Sequence, residues 1–358
     1  MRFPEQEPCD LIGALAQYRP GRRHHDDFAS RNAPSGSLWS SRALVSRPAF
    51  GTAPSFGTAK VRIGVLKFGT VSWALDTMKQ HKFDTANGID LEVIDFAGED
   101  ATNVAILAGA IDMIVTDWLW VSRQRSAGVD LTLVPYSTAV GAIMVKEESP
   151  IRTIADLKGK KIGVAGGPLD KSWLLIQALA RRDHGLDLPT TSDIVFGAPP
   201  LISEKALQGE LDAVLNFWHF CARLEANGFR RLIGANDAAE ALGASGAVSA
   251  IGYVFHDKWA NENPDAVRGF IKASAQAKDL LARSDDEWLR LAPIVRAQGK
   301  ELAKLRDRYR EGIPRRPVAE DAADAGRLYR VLAEIGGEKL VGSAPEMAPG
   351  TFWQELPK

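Results

Sequence analysis

The chain has 358 residues, 45% hydrophobic and 25% charged, an ordinary globular composition with material for two or three domains. Its 44 Lys and Arg balance 45 Asp and Glu to a net charge of -1, so no basic excess points to nucleic acid or an anionic membrane. No run reaches the roughly 18 apolar residues of a membrane span, and two cysteines, Cys9 and Cys221, cannot build a disulfide scaffold or a Cys-based zinc site.

Residues 1–58 carry Arg22-Arg-His-His-Asp-Asp27 and then a mixture of Ser, Ala, Arg, Pro and Gly, which predicts a disordered leader or a misassigned start. The segment lacks the apolar run of a secretory signal. Arg22-Arg23 leads into His-His-Asp-Asp, unlike a twin-arginine signal, and Cys9 has no lipoprotein-type stretch before it.

From residue 60 short strands and helices alternate. Strands are predicted at 61–66, 91–96, 112–116 and 131–136, with a helix opening near Thr70 to Ser72 and others over 101–110 and 118–126. A second set follows, with strands at 161–164, 194–196, 213–216 and 229–233 and helices at 172–183, 203–208 and 220–227. A shift of 100 aligns Ser72-Trp73 with Ser172-Trp173, Phe96 with Phe196, Asp112 with Asp212, Trp118 with Trp218 and Gly128 with Gly228. Ile63-Gly-Val65 matches Ile162-Gly-Val164 at a shift of 99. Agreement across residue types predicts two similar α/β lobes, each a mixed, mostly parallel sheet with flanking helices.

Val140-Gly-Ala-Ile-Met-Val145 and Ala250-Ile-Gly-Tyr-Val-Phe255 read as extended crossings, near 138–148 and 246–256. Lobe one is then 59–142 plus 250–358, and lobe two is 143–249. Helices predicted at 264–281, 285–296, 301–309 and 317–335, started by Asn263-Pro264 and Ser284-Asp285-Asp286, are expected on lobe one.

In such sheets ligands bind beyond the carboxyl ends of the strands, where helix N-termini present free N–H groups. That rule selects Phe68, Thr70, Ser72, Trp73, Asp117, Trp118 and Tyr136 in lobe one, and Gly167, Lys171, Ser172, Trp173, Asn216, Phe217, Trp218 and His219 in lobe two. Trp73, Trp118, Trp173 and Trp218 are four of nine tryptophans, and facing lobes would make of them an aromatic clamp around a planar or cationic ligand. Packing as first-turn helix residues against their own sheets is the competing reading for Trp73 and Trp173. Asp117, Asp170 and Glu99 favour a positive or hydrogen-donating ligand end, whereas Lys67 and Lys171 favour an acidic one.

Gly166-Gly-Pro-Leu-Asp-Lys-Ser172 follows a strand, but a phosphate loop needs Gly immediately before Lys, and Asp170 would oppose a phosphate. His219 has no second ligand at metal spacing, so a hydrogen-bonding role is expected and no metal. No nucleophile and base pair at catalytic spacing, so neither catalysis nor a cofactor is expected.

The phrases Leu107-Ala-Gly-Ala-Ile-Asp-Met-Ile-Val-Thr-Asp117, Ser149-Pro-Ile-Arg-Thr-Ile-Ala-Asp-Leu-Lys-Gly-Lys-Lys-Ile-Gly-Val164 and Leu207-Gln-Gly-Glu-Leu-Asp-Ala-Val214 give the chain a resemblance to the nitrate/sulfonate/taurine solute-binding proteins of ABC importers, over about residues 60–340. More narrowly, Asp117-Trp-Leu-Trp-Val-Ser-Arg-Gln-Arg125, Gly166-Gly-Pro-Leu-Asp-Lys-Ser-Trp173 and Leu215-Asn-Phe-Trp-His219 resemble binding proteins associated with pyrroloquinoline-quinone-dependent alcohol oxidation. The resemblance implies the type II periplasmic-binding fold and a monomeric, periplasmic receptor. Such a receptor closes on a small solute and delivers it to a permease with its own ATPase. The alternatives are a ligand sensor and an enzyme of the related thiamine-pyrimidine-synthase type. That enzyme's cysteine-rich signature has only Cys221 to match it in the body of the chain.

Overall fold

The computed structural model describes residues 58–67 and 69–353, so the predicted leader up to residue 57 and the candidate Phe68 lie outside the described residues. Within them the first lobe is built on strands β1 (Ala59–Leu66), β2 (Ile89–Phe96), β3 (Met113–Asp117) and β4 (Leu131–Ser137). The second carries β5 (Ala142–Lys146), β6 (Lys161–Ala165), β7 (Asp193–Gly197), β8 (Ala213–Asn216) and β9 (Phe229–Gly234), after which β10 (Ile251–His256) returns.

The strands form two five-stranded sheets, ordered β2-β1-β3-β10-β4 and β7-β6-β8-β5-β9. β1 pairs in parallel with β2 and β3, and β6 with β7 and β8. β10 runs antiparallel between β3 and β4, and β5 antiparallel between β8 and β9. The two apolar stretches read as crossings therefore supply an interior strand to each sheet. The passages between sheets are short, at 138–141 and 244–250. The near-continuous apolar sequence of these stretches is what a strand covered on both faces requires. Ile143, Met144, Val145, Val254 and Phe255 are fully buried.

The repeat seen in the sequence is an atomic repeat. Asp112 accepts a hydrogen bond from the backbone N–H of Arg62 at 2.8 Å, and Asp212 accepts one from Lys161 at 2.8 Å, each tying the start of a third strand to the first. A Cβ on Gly64 would lie 2.6 Å from Ile111 Cδ1, and one on Gly163 2.5 Å from Leu211 Cδ1. Both positions let an apolar side chain close over the central strand.

The C-terminal helices start on the first lobe, as expected, and two of them extend to the second. Helix Pro264–Arg283 lies along helix Val71–Gln80 and the edge of β1 and β2. Helix Asp285–Val295 fixes the same partner through Glu287, which accepts from Thr77 Oγ1 at 2.8 Å and faces His81 Nε2 at 3.0 Å. Helix Gly299–Glu311 packs instead along Trp218–Ala226 of the second lobe, with Arg308 on the buried Glu225 at 2.7 Å. Helix Val318–Gly336 packs on Lys171–His184, also of the second lobe. The chain then runs beside β4: Leu133 N–H donates to Thr351 O and Trp353 N–H to Leu133 O, both at 2.9 Å, a parallel bridge onto the sheet edge.

Helices not foreseen lie at Asp257–Glu262 and Ala235–Ala241, and the helix expected from residue 203 begins at Pro199, where Pro199-Pro200 is well suited to a first turn. No helix among the described residues is long and apolar enough to cross a membrane.

Two glycine substitutions of opposite sign test this packing. A Cβ at Gly252, in β10, would meet Leu133 Cγ at 2.4 Å and the Val134 carbonyl oxygen at 2.5 Å, so Gly252→Ala should destabilise by about 1–3 kcal/mol through overpacking. At Gly326, inside helix Val318–Gly336, the nearest atom would be Met347 Cε at 3.8 Å. Gly326→Ala should stabilise by up to about 1 kcal/mol through helix propensity. Urea midpoints measure both, and a neutral Gly252→Ala would contradict the interior position of β10.

Candidate functional site

A cavity of about 350 Å³ lies between the two sheets, walled by both lobes and by the C-terminal helix residues Leu328 and Leu332. It is reached by the carboxyl ends of β1 and β3, by Phe217 just after β8, by both passages between the lobes, and by the first turns of helices Val71–Gln80, Glu99–Leu107, Trp118–Ser126, Lys171–His184 and Trp218–Ala226. Convergence of helix N-termini follows from the parallel topology, because each strand hands over to its helix at the same sheet end.

Of the residues selected from the sequence, Thr70, Asp117, Trp118, Lys171, Ser172, Phe217, Trp218 and His219 line this cavity. Trp118 and Trp218 are nearly buried and present part of an apolar wall with Val71, Val115, Leu175 and Val248. Trp118 packs on Tyr329, with ring centroids 6.4 Å apart. Trp218 stands edge-on to Trp73 at 5.8 Å.

The other candidates lie outside the lining. Trp73 is a core residue, 5.8 Å from Trp288 and 6.1 Å from Tyr309 between ring centroids, and Trp173 is 1% exposed in the second lobe. The four-tryptophan clamp thus reduces to two rings at the wall, one of them backed by a third. Ser72 Oγ donates to Gly69 O at 2.7 Å. Asn216 is fully buried and braces the end of β8, donating to Pro199 O and Ser203 Oγ, both at 2.9 Å. Gly167 belongs to the turn before Asp170 but not to the wall.

Tyr136 sits behind the site, its hydroxyl 3.3 Å from that of Tyr309. Lys278 lies over its ring, 4.5 Å from the centroid, and 5.5 Å from that of Tyr253. Burial pushes the Lys278 ammonium down to about 7.

The polar end of the cavity is set by charge. Asp117 caps helix Trp118–Ser126, accepting from Trp120 N–H at 3.0 Å, and its other oxygen accepts from Lys171 Nζ at 2.9 Å. This pair joins the lobes across the cleft. Burial alone would raise the Asp117 carboxyl, but Lys171 and the backbone N–H groups outweigh it and hold the group below the usual range. Burial likewise opposes the charge of Lys171, and the attraction of Asp117 prevails, so its pKa lies above the ordinary value. Asp170 caps helix Lys171–His184 through Trp173 N–H at 3.0 Å, and burial raises its carboxyl. Glu99, in the first turn of its helix, is raised by burial and then by Asp117, with Lys171 acting in the opposite sense.

His219 is pushed down to about 4, by burial first and then by Arg223, so its imidazole is neutral at neutral pH. It touches Trp218 and Phe220 through its ring but has no hydrogen-bond partner among the described residues, contrary to the role expected for it. Among those residues no group of three His, Cys, Asp or Glu side chains could hold a metal ion.

Sequence reasoning missed the part of the wall made by Ala235, Asn236 and Ala239. Their helix starts where Asp237 accepts from Gly234 N–H at 2.8 Å, and a Gly-x-x-Asp start was the available signal. Leu328 and Leu332 were not foreseen either. One helical turn apart, they read as ordinary core positions, and only the long-range docking of their helix brings them to the cleft.

Residues 79–287 match the family described as NMT1/THI5 like. A protein of Escherichia coli (strain K12) named for binding aliphatic sulfonates is 28% identical over 249 residues, covering 68% of this chain and 73% of that protein. The solved periplasmic aliphatic sulphonate binding protein SsuA from Escherichia coli superposes with a TM-score of 0.66 at 23% identity, over 83% of this chain and 93% of the other. The alkanesulfonate-binding protein SsuA from Xanthomonas axonopodis pv. citri, bound to MOPS, gives 0.61 at 20% identity, over 83% and 99%. At these identities the two structures establish the fold, two lobes of the periplasmic-binding type.

Two measurements probe the electrostatics. Lys171→Met removes the cation across the cleft, so the Asp117 carboxyl should titrate at higher pH by 13C NMR; an unchanged titration would mean that the backbone N–H groups alone hold it down. Lys278 ordinarily titrates at 10.5 and in the fold at about 7, so between these values the unfolded chain binds more protons and stability should rise with pH. In Lys278→Met that rise should disappear from the pH dependence of urea unfolding.

Proposed function

Because the chain belongs to the NMT1/THI5-like family, we propose that it is the solute-binding receptor of an ABC importer. It captures a small organic molecule between its lobes and passes it to a membrane permease and its ATPase, acting outside the cytoplasm, in the periplasm. The observation that carries this reading is the cavity of about 350 Å³ shared by both lobes, apolar along most of its wall and polar at one end. That is the form of a site for an amphipathic small molecule. The relatives named for sulfonates support an organic body with a polar group; we take that group to be of the amine, sulfonate or carboxylate kind.

Binding acts through differential contact. A ligand touching Trp118 and Asp117 of one lobe and Ser172, Trp218 and His219 of the other is held fully only when the lobes are together. It therefore shifts the equilibrium toward the closed state, with the bend at 138–141 and 244–250. No covalent step is needed. The buried Cys221 thiol, pushed up to about 12 chiefly by burial, is no nucleophile at neutral pH.

Native mass spectrometry of freshly purified protein tests the receptor reading: one small molecule should be bound non-covalently and released unchanged, and a covalent adduct or conversion of the released compound would overturn it. For the compound so identified, Trp118→Ala and Trp218→Ala should each weaken binding about tenfold or more, measured by calorimetry. Unchanged affinity in both would remove the aromatic wall from recognition.

A further inference from the structure

We propose that the solute carries a cationic, amine-type end, bound at the carboxylates Glu99 and Asp170 and the His219 ring. The inference rests on the receptor reading and names its ligand class. Three carboxylates, Glu99, Asp117 and Asp170, line the cavity against one Lys and no Arg. The single cation is already committed, since Lys171 Nζ sits 2.9 Å from Asp117. What remains is a formal excess of two negative charges beside an apolar wall.

Helix N-termini at a cleft ordinarily attract anions. Here the protein fills that role itself. Asp117 and Asp170 occupy the first-turn N–H groups of two of the helices, and Glu99 stands in the first turn of a third. An entering anion would meet these carboxylates, whereas a cation would find oxygens that lack a positive partner. Glu99 accepts no hydrogen bond among the described residues, and Asp170 accepts only from the backbone N–H groups of Trp173 and Ser172 in its own helix. Burial first, and the Asp117 charge after it, raise the carboxyls of Glu99 and Asp170, and an ammonium among them would favour their ionised forms.

His219 is the independent observation. Its partly buried ring lines the same cavity with no hydrogen-bond partner among the described residues, and its burial keeps it uncharged. A neutral imidazole cannot attract an anion by charge, but its free ring nitrogen accepts a hydrogen bond from an ammonium. The neighbouring Trp218 and Phe217 also line the cavity, and aromatic rings suit the same charge.

The test is a thermal-shift and calorimetric panel on the full chain with hexylamine, 2-phenylethylamine, hexanesulfonate, 2-phenylethanesulfonate and hexanoate. At least one amine should bind, with no response to the sulfonate or carboxylate of the same body. Glu99→Gln, at a side chain with no hydrogen bond in the fold, should then weaken the amine about tenfold or more without lowering the melting temperature of the free protein. Binding of a sulfonate or hexanoate in preference to the amines would overturn the charge assignment while leaving the receptor reading intact. No response to any amine, or full affinity in Glu99→Gln, would also overturn it. The receptor reading is judged separately, by whether the molecule that co-purifies is released unchanged.

Discussion

Two strands laid antiparallel into otherwise parallel sheets govern this structure. β3 and β4 do not touch each other; they are joined through β10, and β8 and β9 are joined through β5. Neither sheet is complete until the chain has crossed to it from the other, so the two passages are fixed at both ends by hydrogen-bonded interior strands. The cleft inherits its position from that constraint. The ends of β3 and β8, and the helices that leave them, are held at opposite sides of the same two connections.

Within that frame the site divides into parts with different jobs. Trp118 and Trp218 are backed by Tyr329 and Trp73, which holds in place the apolar wall they share with Leu175 and Leu332. The charged end is held less securely. Asp117 is fixed by a helix cap and Lys171, while the Glu99 and His219 side chains have no hydrogen-bond partner among the described residues.

Much of this was legible in the residues. The repeated Asp112 and Asp212, Gly64 and Gly163, and Trp118 and Trp218 were visible as a pattern, because duplicated atoms in a duplicated fold demand duplicated side chains. The ends of the strands could be found from the same rhythm, and with them most of the polar lining. What stayed hidden depends on long-range pairing. Ala142–Lys146 and Ile251–His256 read as connectors, since an apolar extended segment has the same pattern whether it links two sheets or fills a gap in one. Trp73 and Trp173 stand third in their helices, where Trp118 and Trp218 stand first, so packing competed as a reading for that pair; the C-terminal aromatic cluster, distant in sequence, puts Trp73 inside. The contribution of Leu328 and Leu332 follows from helix docking that local periodicity does not encode.

The segment at the end of the described chain has a bearing on how the molecule behaves in company. β4 is the outermost strand of the first sheet, and its free side would offer unpaired N–H and C=O groups to any neighbouring chain. Residues 351–353 lie along it, with Thr132 Oγ1 donating to Gly350 O at 2.8 Å and Arg125 Nε to Pro349 O at 2.7 Å. The strap blunts an edge on which copies could otherwise stack, so loss of this short piece would be felt as aggregation before it was felt as lost ligand.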